Sequence, residues 1–184
     1  MAGRAGAALV VSKRKGMIDH VTTDADETGV FSYSQILKLL KIEFERSRRY
    51  QYDLSLVLVE IDRLSQLGDM HGFTVCEKLE GAVAHLLDRQ SRSCDFVGRM
   101  GERFVVLLPH TSSQGAQFLA RRLHARVGEL EVRLDERVVR ISASVAVATQ
   151  AGDDAIFFDS ILKHAEKALH DLVQRGGDAV VVCG

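Results

Sequence analysis

The run Leu54–Ile61 reads Leu-Ser-Leu-Val-Leu-Val-Glu-Ile, and it constrains the fold more than any other part of the chain. A stretch so short and so nearly continuous in apolar residues is a strand buried within a sheet. A helix before it, Ser34–Arg49, places Ile36, Leu37, Leu40 and Phe44 on one face and Lys and Arg on the other. A second helix, Val75–Leu87, follows through Leu79, Val83, Leu86 and Leu87. Two β-like runs come next, Phe96–Arg99 and Arg103–Leu108, separated by Met100-Gly101-Glu102 and closed by Pro109, the single proline. That pattern predicts a hairpin.

The remaining elements follow the same rules. Ser113–Val127 is a helix with Ser112 or Ser113 as its cap. Leu130–Leu134 and Arg137–Ala148 form a second hairpin turning at Asp135-Glu136. Ile156–Val173 is the last helix, stopped by Gly176-Gly177, and Ala179–Val182 is a final strand. The predicted order is α-β-α-β-β-α-β-β-α-β. The fold class is α/β (α+β), with a mixed, largely antiparallel central sheet flanked by helices.

With 184 residues the chain accommodates one domain and a short extension. Residues 1–25 lack sustained periodicity and are expected to be a flexible tail or linker; residues 26–184 form the domain. The formal charge of −1, from 24 basic and 25 acidic residues, offers no bulk attraction for nucleic acid or an anionic membrane. No apolar run approaches the roughly 20 residues of a bilayer span. Cys76, Cys94 and Cys183 are few, odd in number and widely spaced, which fits reduced thiols in a cytoplasmic protein. His71, His110, His124, His164 and His170 show no metal-ligand spacing, and no Ser-His-Asp arrangement can be traced.

The segment from Arg92 to Pro109 resembles the signature hairpin of the GGDEF family, the diguanylate cyclase domains that join two GTP molecules into cyclic di-GMP. The resemblance extends from about Thr28-Gly29 to Val182. It takes in Glu60-Ile61-Asp62 at the first strand end, Asp69 and Gly72, and the helix Ala165-Glu166-Lys167-Ala168-Leu169. It implies two-metal phosphoryl transfer, with carboxylates at the strand end and in the hairpin turn holding Mg²⁺.

Set against that pattern, several positions depart. The strand-end Asp is Glu60, one methylene longer. The turn is Gly101-Glu102-Arg103-Phe104, one residue shorter than the family's, with one glycine and one acid missing. The guanine-reading Asn and Asp fall on Gly68 and Glu77. The phosphate-binding Lys after the first strand falls on Ser65, and the C-terminal Lys and Arg fall on Val173 and Gly177. The expectation drawn from these changes is a degenerate domain that is not an enzyme, with no catalytic residues, no metal site and no need for Mg²⁺. A Glu60–Glu102 metal site is the minor alternative, and two solvated carboxylates the plain one.

The product-binding pattern persists. Arg92-x-x-Asp95 lies five residues before Gly101, the family's spacing for its inhibitory site, and Arg122 falls where the family places a second arginine. Arg46 stands where an arginine can reach the same ligand across a dimer. Guanidinium groups offer a donor fork to guanine O6 and N7 or to phosphate, and a carboxylate accepts from the guanine N1–H and N2–H₂ edge. The resemblance therefore implies a cyclic di-GMP receptor or regulatory module, with a protein partner and a homodimer as companions. The competing readings are a dimerisation or docking module that needs no ligand and, third, a residual diguanylate cyclase.

Overall fold

The computed structural model describes residues 30–134, 137–150 and 158–183. Its centre is β1 (Leu54–Ile61). In the central sheet β2 (Phe96–Met100) pairs with β3 (Arg103–Pro109), β3 with β1, β1 with β6 (Ala143–Gln150), and β6 with β7 (Val180–Val182). All pairs are antiparallel except β6–β7. β4 (Glu131–Leu134) and β5 (Arg137–Arg140) form a separate two-stranded ribbon.

Side chains of β1 alternate between two apolar cores, as the two-residue period of a strand requires. Val57, Val59 and Ile61 join Phe104 and Val106 beneath α3 (Phe73–Gln90) and α4 (Ser113–Gly128), which contribute Leu79, Val83, Leu119 and Leu123. Leu54, Leu56 and Leu58 join Val105 and Leu107 beneath α1 (Tyr33–Tyr50) and α5 (Phe158–Gln174). Both faces are covered, which is why β1 is apolar almost throughout.

The expected mixed, largely antiparallel sheet with flanking helices is the observed one. Four expectations are corrected. An additional helix, α2 (Leu64–His71), lies between β1 and α3, and α3 begins at Phe73 rather than Val75. Arg137–Ala148 is not one strand: the chain leaves the ribbon at Arg140, and β6 starts at Ala143, in the central sheet. The break forms where the Ser142 carbonyl accepts from the Asp62 amide at 3.0 Å. The hairpin separator is two residues, since Met100 pairs with Arg103. Residues 1–25, Thr28-Gly29, the Asp135-Glu136 turn and Ile156 lie outside the described residues. Among the described residues no helix is long and apolar enough to cross a membrane.

Candidate functional site

The β2–β3 turn is built by Gly101 and Glu102. Gly101 has φ +65°, and Glu102 is not among the residues with positive φ. A two-residue hairpin loop with a left-handed first position calls for glycine there. This short turn fixes the register of everything after it. Arg103 pairs with Met100 across the hairpin and with Glu60 across β1. The two side chains share the α1/α5 face of the sheet, and Arg103 Nε donates to Glu60 Oε2 at 2.7 Å. Phe104, one residue on, points to the opposite core and is 1% exposed.

A cavity of about 380 Å³ opens beside this pair, lined by Glu60, Asp62, Ser65, Glu102, Val173 and Gly176 among others. Asp62 is committed to structure. Its Oδ2 accepts from Ser142 Oγ at 2.6 Å and from the Asp178 amide at 3.0 Å, and its Oδ1 accepts from Ser144 Oγ at 2.6 Å. Gly177 approaches the same carboxylate; a Cβ there would lie 2.5 Å from Asp62 Oδ1. Any side chain at 177 would displace this knot, so the position cannot carry an arginine in this arrangement. Gly68 is similarly closed, because a Cβ on it would lie 2.9 Å from Cys76 Sγ. Glu77 is exposed on α3 and Ser65 is exposed on α2. Burial pushes the Cys76 thiol up from its ordinary value, with the Glu80 and Asp69 charges adding to it.

The other predicted cluster lies at the opposite end of β2, before Phe96. Asp95 is 2% exposed and its carboxylate turns inward, where Oδ2 accepts from the Arg92 backbone amide at 2.6 Å. The Asp95 amide in turn donates to the Arg92 carbonyl at 3.1 Å. Residues 92–95 therefore form a closed loop that holds the exposed Arg92 at its rim. Arg122 reaches from α4 to the last residue of α3, its Nη2 donating to the Gln90 carbonyl at 2.9 Å. The structure thus closes Arg92 and Asp95 into one loop and sets Arg122 against the end of α3, two residues before Arg92. Arg46 does not join them: it stands on α1, over the opposite core, and its Nη1 donates to Glu43 Oε1 at 2.7 Å. Between the two sites runs β2, where Arg99 reaches both the Gly101 carbonyl at 2.9 Å and the Glu80 carboxylate of α3.

Residues 23–179 match the family described as diguanylate cyclase, GGDEF domain. The chain belongs to that family. Diguanylate cyclase DgcP of Pseudomonas aeruginosa is 28% identical over 156 residues, which are 84% of this chain and 23% of DgcP. The diguanylate cyclase SiaD of the same organism, solved in complex with its activator SiaC, superposes with a TM-score of 0.78 at 28% identity, over 84% of this chain and 59% of that one. The GGDEF domain of DgcB from Caulobacter crescentus, solved in complex with cyclic di-GMP, superposes with a TM-score of 0.81 at 18% identity, over 89% of this chain and 99% of that one, a likeness of fold. The chain spans about a quarter of DgcP and about a third of a second cyclase, diguanylate cyclase A of Treponema denticola.

These relatives overturn one expectation. The altered turn suggested a domain that is not an enzyme, yet the curated relatives it matches are diguanylate cyclases, DgcM and a probable cyclase, DgcC, of Escherichia coli among them. Substituted residues at aligned positions do not by themselves remove an activity from a family member.

Membership in a GGDEF family raises the question of Mg²⁺. The carboxylates at hand are Glu60, Asp62 and Glu102. Arg103 occupies one oxygen of Glu60, and both oxygens of Asp62 are engaged by Ser142, Ser144 and Asp178. Among the described residues no three of His, Cys, Asp and Glu stand together as a ligand set. Mg²⁺ requires near-octahedral oxygen placement, and these residues, paired as they are, do not fit it.

Two features of the sites were missed in the sequence. The Glu60–Arg103 pair depends on the β1–β3 register, which no local pattern sets. The aromatic partner of Arg122, Phe118, was signalled only by its spacing of four residues along α4.

Proposed function

We propose that this domain serves cyclic di-GMP signalling and binds the cyclic dinucleotide at the Arg92, Asp95 and Arg122 surface. The observation that carries the proposal is the bond from Arg122 to the Gln90 carbonyl, which sets a second guanidinium beside the loop that presents Arg92. Two arginines suit a ligand with two guanines and two phosphates, because each can fork onto a base edge or a phosphate. Asp95 contributes by shaping the loop, since its Oδ2 is already on the Arg92 amide. Arg46 enters this proposal only from a second copy of the chain, which makes a ligand-bridged homodimer part of the reading. The DgcB structure with cyclic di-GMP supports the ligand, and SiaD with its activator SiaC supports a protein partner for a domain of this kind.

Chemistry on GTP belongs, in the same proposal, to the cleft of Glu60 and Glu102. Family membership and the cyclase relatives support it.

Isothermal titration with cyclic di-GMP tests the first part. Micromolar or tighter binding that is lost in Arg92→Ala and Arg122→Ala is expected. No heat and no thermal shift at millimolar ligand refutes it. Chromatography of products after incubation with GTP and Mg²⁺ or Mn²⁺ tests the second. Cyclic di-GMP above the level of a Glu60→Ala control supports a cyclase; product equal to that control, in both the parent chain and Arg103→Ala, removes the cleft from the reading.

A further inference from the structure

Phe118 is 69% exposed, although it stands on a helix whose other large apolar side chains face the core. No other residue of α4 is a large exposed hydrophobic. A lone aromatic of this kind does not make the broad apolar patch that a protein partner uses. Its surroundings are cationic and polar. The Arg122 guanidinium carbon lies 5.9 Å from the Phe118 ring centroid, within cation–π reach. The same guanidinium donates to the Gln90 carbonyl at the start of the Arg92 loop. One side chain therefore touches both the ring and the end of α3, from which the chain enters the Arg92 loop, and Arg121 is exposed beside it.

We propose that Phe118 is a stacking platform for a guanine base of cyclic di-GMP, with Arg122 and Arg92 reading the edge of that base or the adjoining phosphate. This rests on the reading that the dinucleotide binds at the Arg92 loop. A planar, electron-rich base is the chemical class that an exposed ring flanked by guanidiniums takes best: the ring covers the base face and the donors meet its acceptors. Stacking of a base on an aromatic side chain corresponds to roughly five-fold to a hundred-fold in affinity. Because Phe118 is outside the core, its replacement leaves the fold intact, and far-UV circular dichroism and thermal unfolding of each variant serve as the control.

The chain contains no tryptophan, so Phe118→Trp installs a single fluorophore at the platform. Titration of Phe118→Trp with cyclic di-GMP is expected to shift or quench its emission, saturating at the concentration that calorimetry gives for the parent chain. Phe118→Ala and Phe118→Leu are expected to bind at least five-fold more weakly, and Phe118→Tyr within about two-fold of the parent. If Phe118→Ala binds within two-fold of the parent while Arg92→Ala does not bind, the platform is wrong and the binding surface stands. If the parent chain itself does not bind, the surface falls and the platform with it.

Discussion

Arg103→Ala is the substitution that bears most directly on the cleft. Arg103 and Glu60 sit directly opposite one another on adjacent strands, their side chains 30% and 21% exposed, with Nε and Oε2 2.7 Å apart. Cross-strand ion pairs contribute roughly 0.2–1 kcal/mol. Charge-assisted hydrogen bonds are about twice as strong as neutral ones, and the partial burial here reduces solvent screening. A coupling of about 1 kcal/mol follows. A double-mutant cycle over Arg103→Ala and Glu60→Ala, read by urea unfolding, measures it directly. The same number governs cation binding. An ion that takes Glu60 must first displace Arg103, and about 1 kcal/mol corresponds to about five-fold in affinity. Removal of the arginine also removes its repulsion, so five-fold is a lower bound. Mn²⁺ titration followed by electron paramagnetic resonance should show Arg103→Ala binding at least five-fold more tightly than the parent, with Arg103→Ala/Glu60→Ala losing the gain. A coupling below about 0.3 kcal/mol, or equal Mn²⁺ affinity in the parent and Arg103→Ala, refutes the argument that this pair closes the site.

Three further outcomes test the structure around the sites. Gly177→Ala places a methyl 2.5 Å from Asp62 Oδ1 at a residue with φ +72°, and about 3 kcal/mol of destabilisation is expected in urea unfolding; a loss under about 1 kcal/mol contradicts the tight approach. Tyr52 is pushed up to about 12, first by burial and then by its hydrogen bond to Glu43. The folded state therefore holds that proton more tightly than the unfolded chain, whose ordinary tyrosine value is about 10. The stability this confers is intact below about pH 10 and declines as pH rises through the folded value; Tyr52→Phe should flatten the decline between pH 10 and 12, and an unchanged slope counts against the linkage. Cys94 is exposed, whereas Cys76 is buried with its thiol pushed up. Iodoacetamide at pH 8 should label Cys94 first and Cys76 only on unfolding, as read by peptide mass mapping, and equal labelling rates would contradict this burial.

The parts of the fold legible in the sequence are those whose signals are local. β1 announced itself by a run of aliphatics buried on both faces, and α4 by its period and by Ser112, whose hydroxyl accepts from the Gly115 amide at 3.4 Å. The helix α2 carried no such signal. None of its residues is buried, its N-cap Arg63 has φ 56° and no side-chain cap, and Gly68 sits in its interior. Its position is set by Leu64 and Leu67 packing on the core and by Cys76 closing on Gly68. The break between β5 and β6 was hidden for a related reason. Val138, Val139, Ile141 and Val145 read as one β-like run, but Asp62 draws Ser142 and Ser144 to the end of β1 and redirects the chain into the central sheet. At the Arg92 loop, sequence spacing does not show which way Asp95 turns; its carboxylate is 2% exposed and accepts from the Arg92 amide, holding the loop from within.

The relation between the two sites limits how one can influence the other. The cleft lies at the end of β1, between the start of α2 and the end of α5 and beside the turn that ends β2, whereas Arg122 meets the end of α3, ahead of the loop that precedes β2. At about 3.3 Å per residue, the stretch from Asp95 to Gly101 separates them by roughly 20 Å. A dinucleotide bound at Arg92 therefore cannot touch Glu60 or Glu102 of the same chain. Within one chain β2 joins the two sites, and Arg99 lies on it with its guanidinium tying the Gly101 carbonyl to Glu80 of α3. A packed strand held at both ends transmits a displacement better than a free loop. If cyclic di-GMP alters Mn²⁺ binding at the cleft, Arg99→Ala should reduce that effect while leaving the affinity at the Arg92 surface within about two-fold. An effect of equal size in Arg99→Ala would mean that the coupling runs between copies of the chain instead.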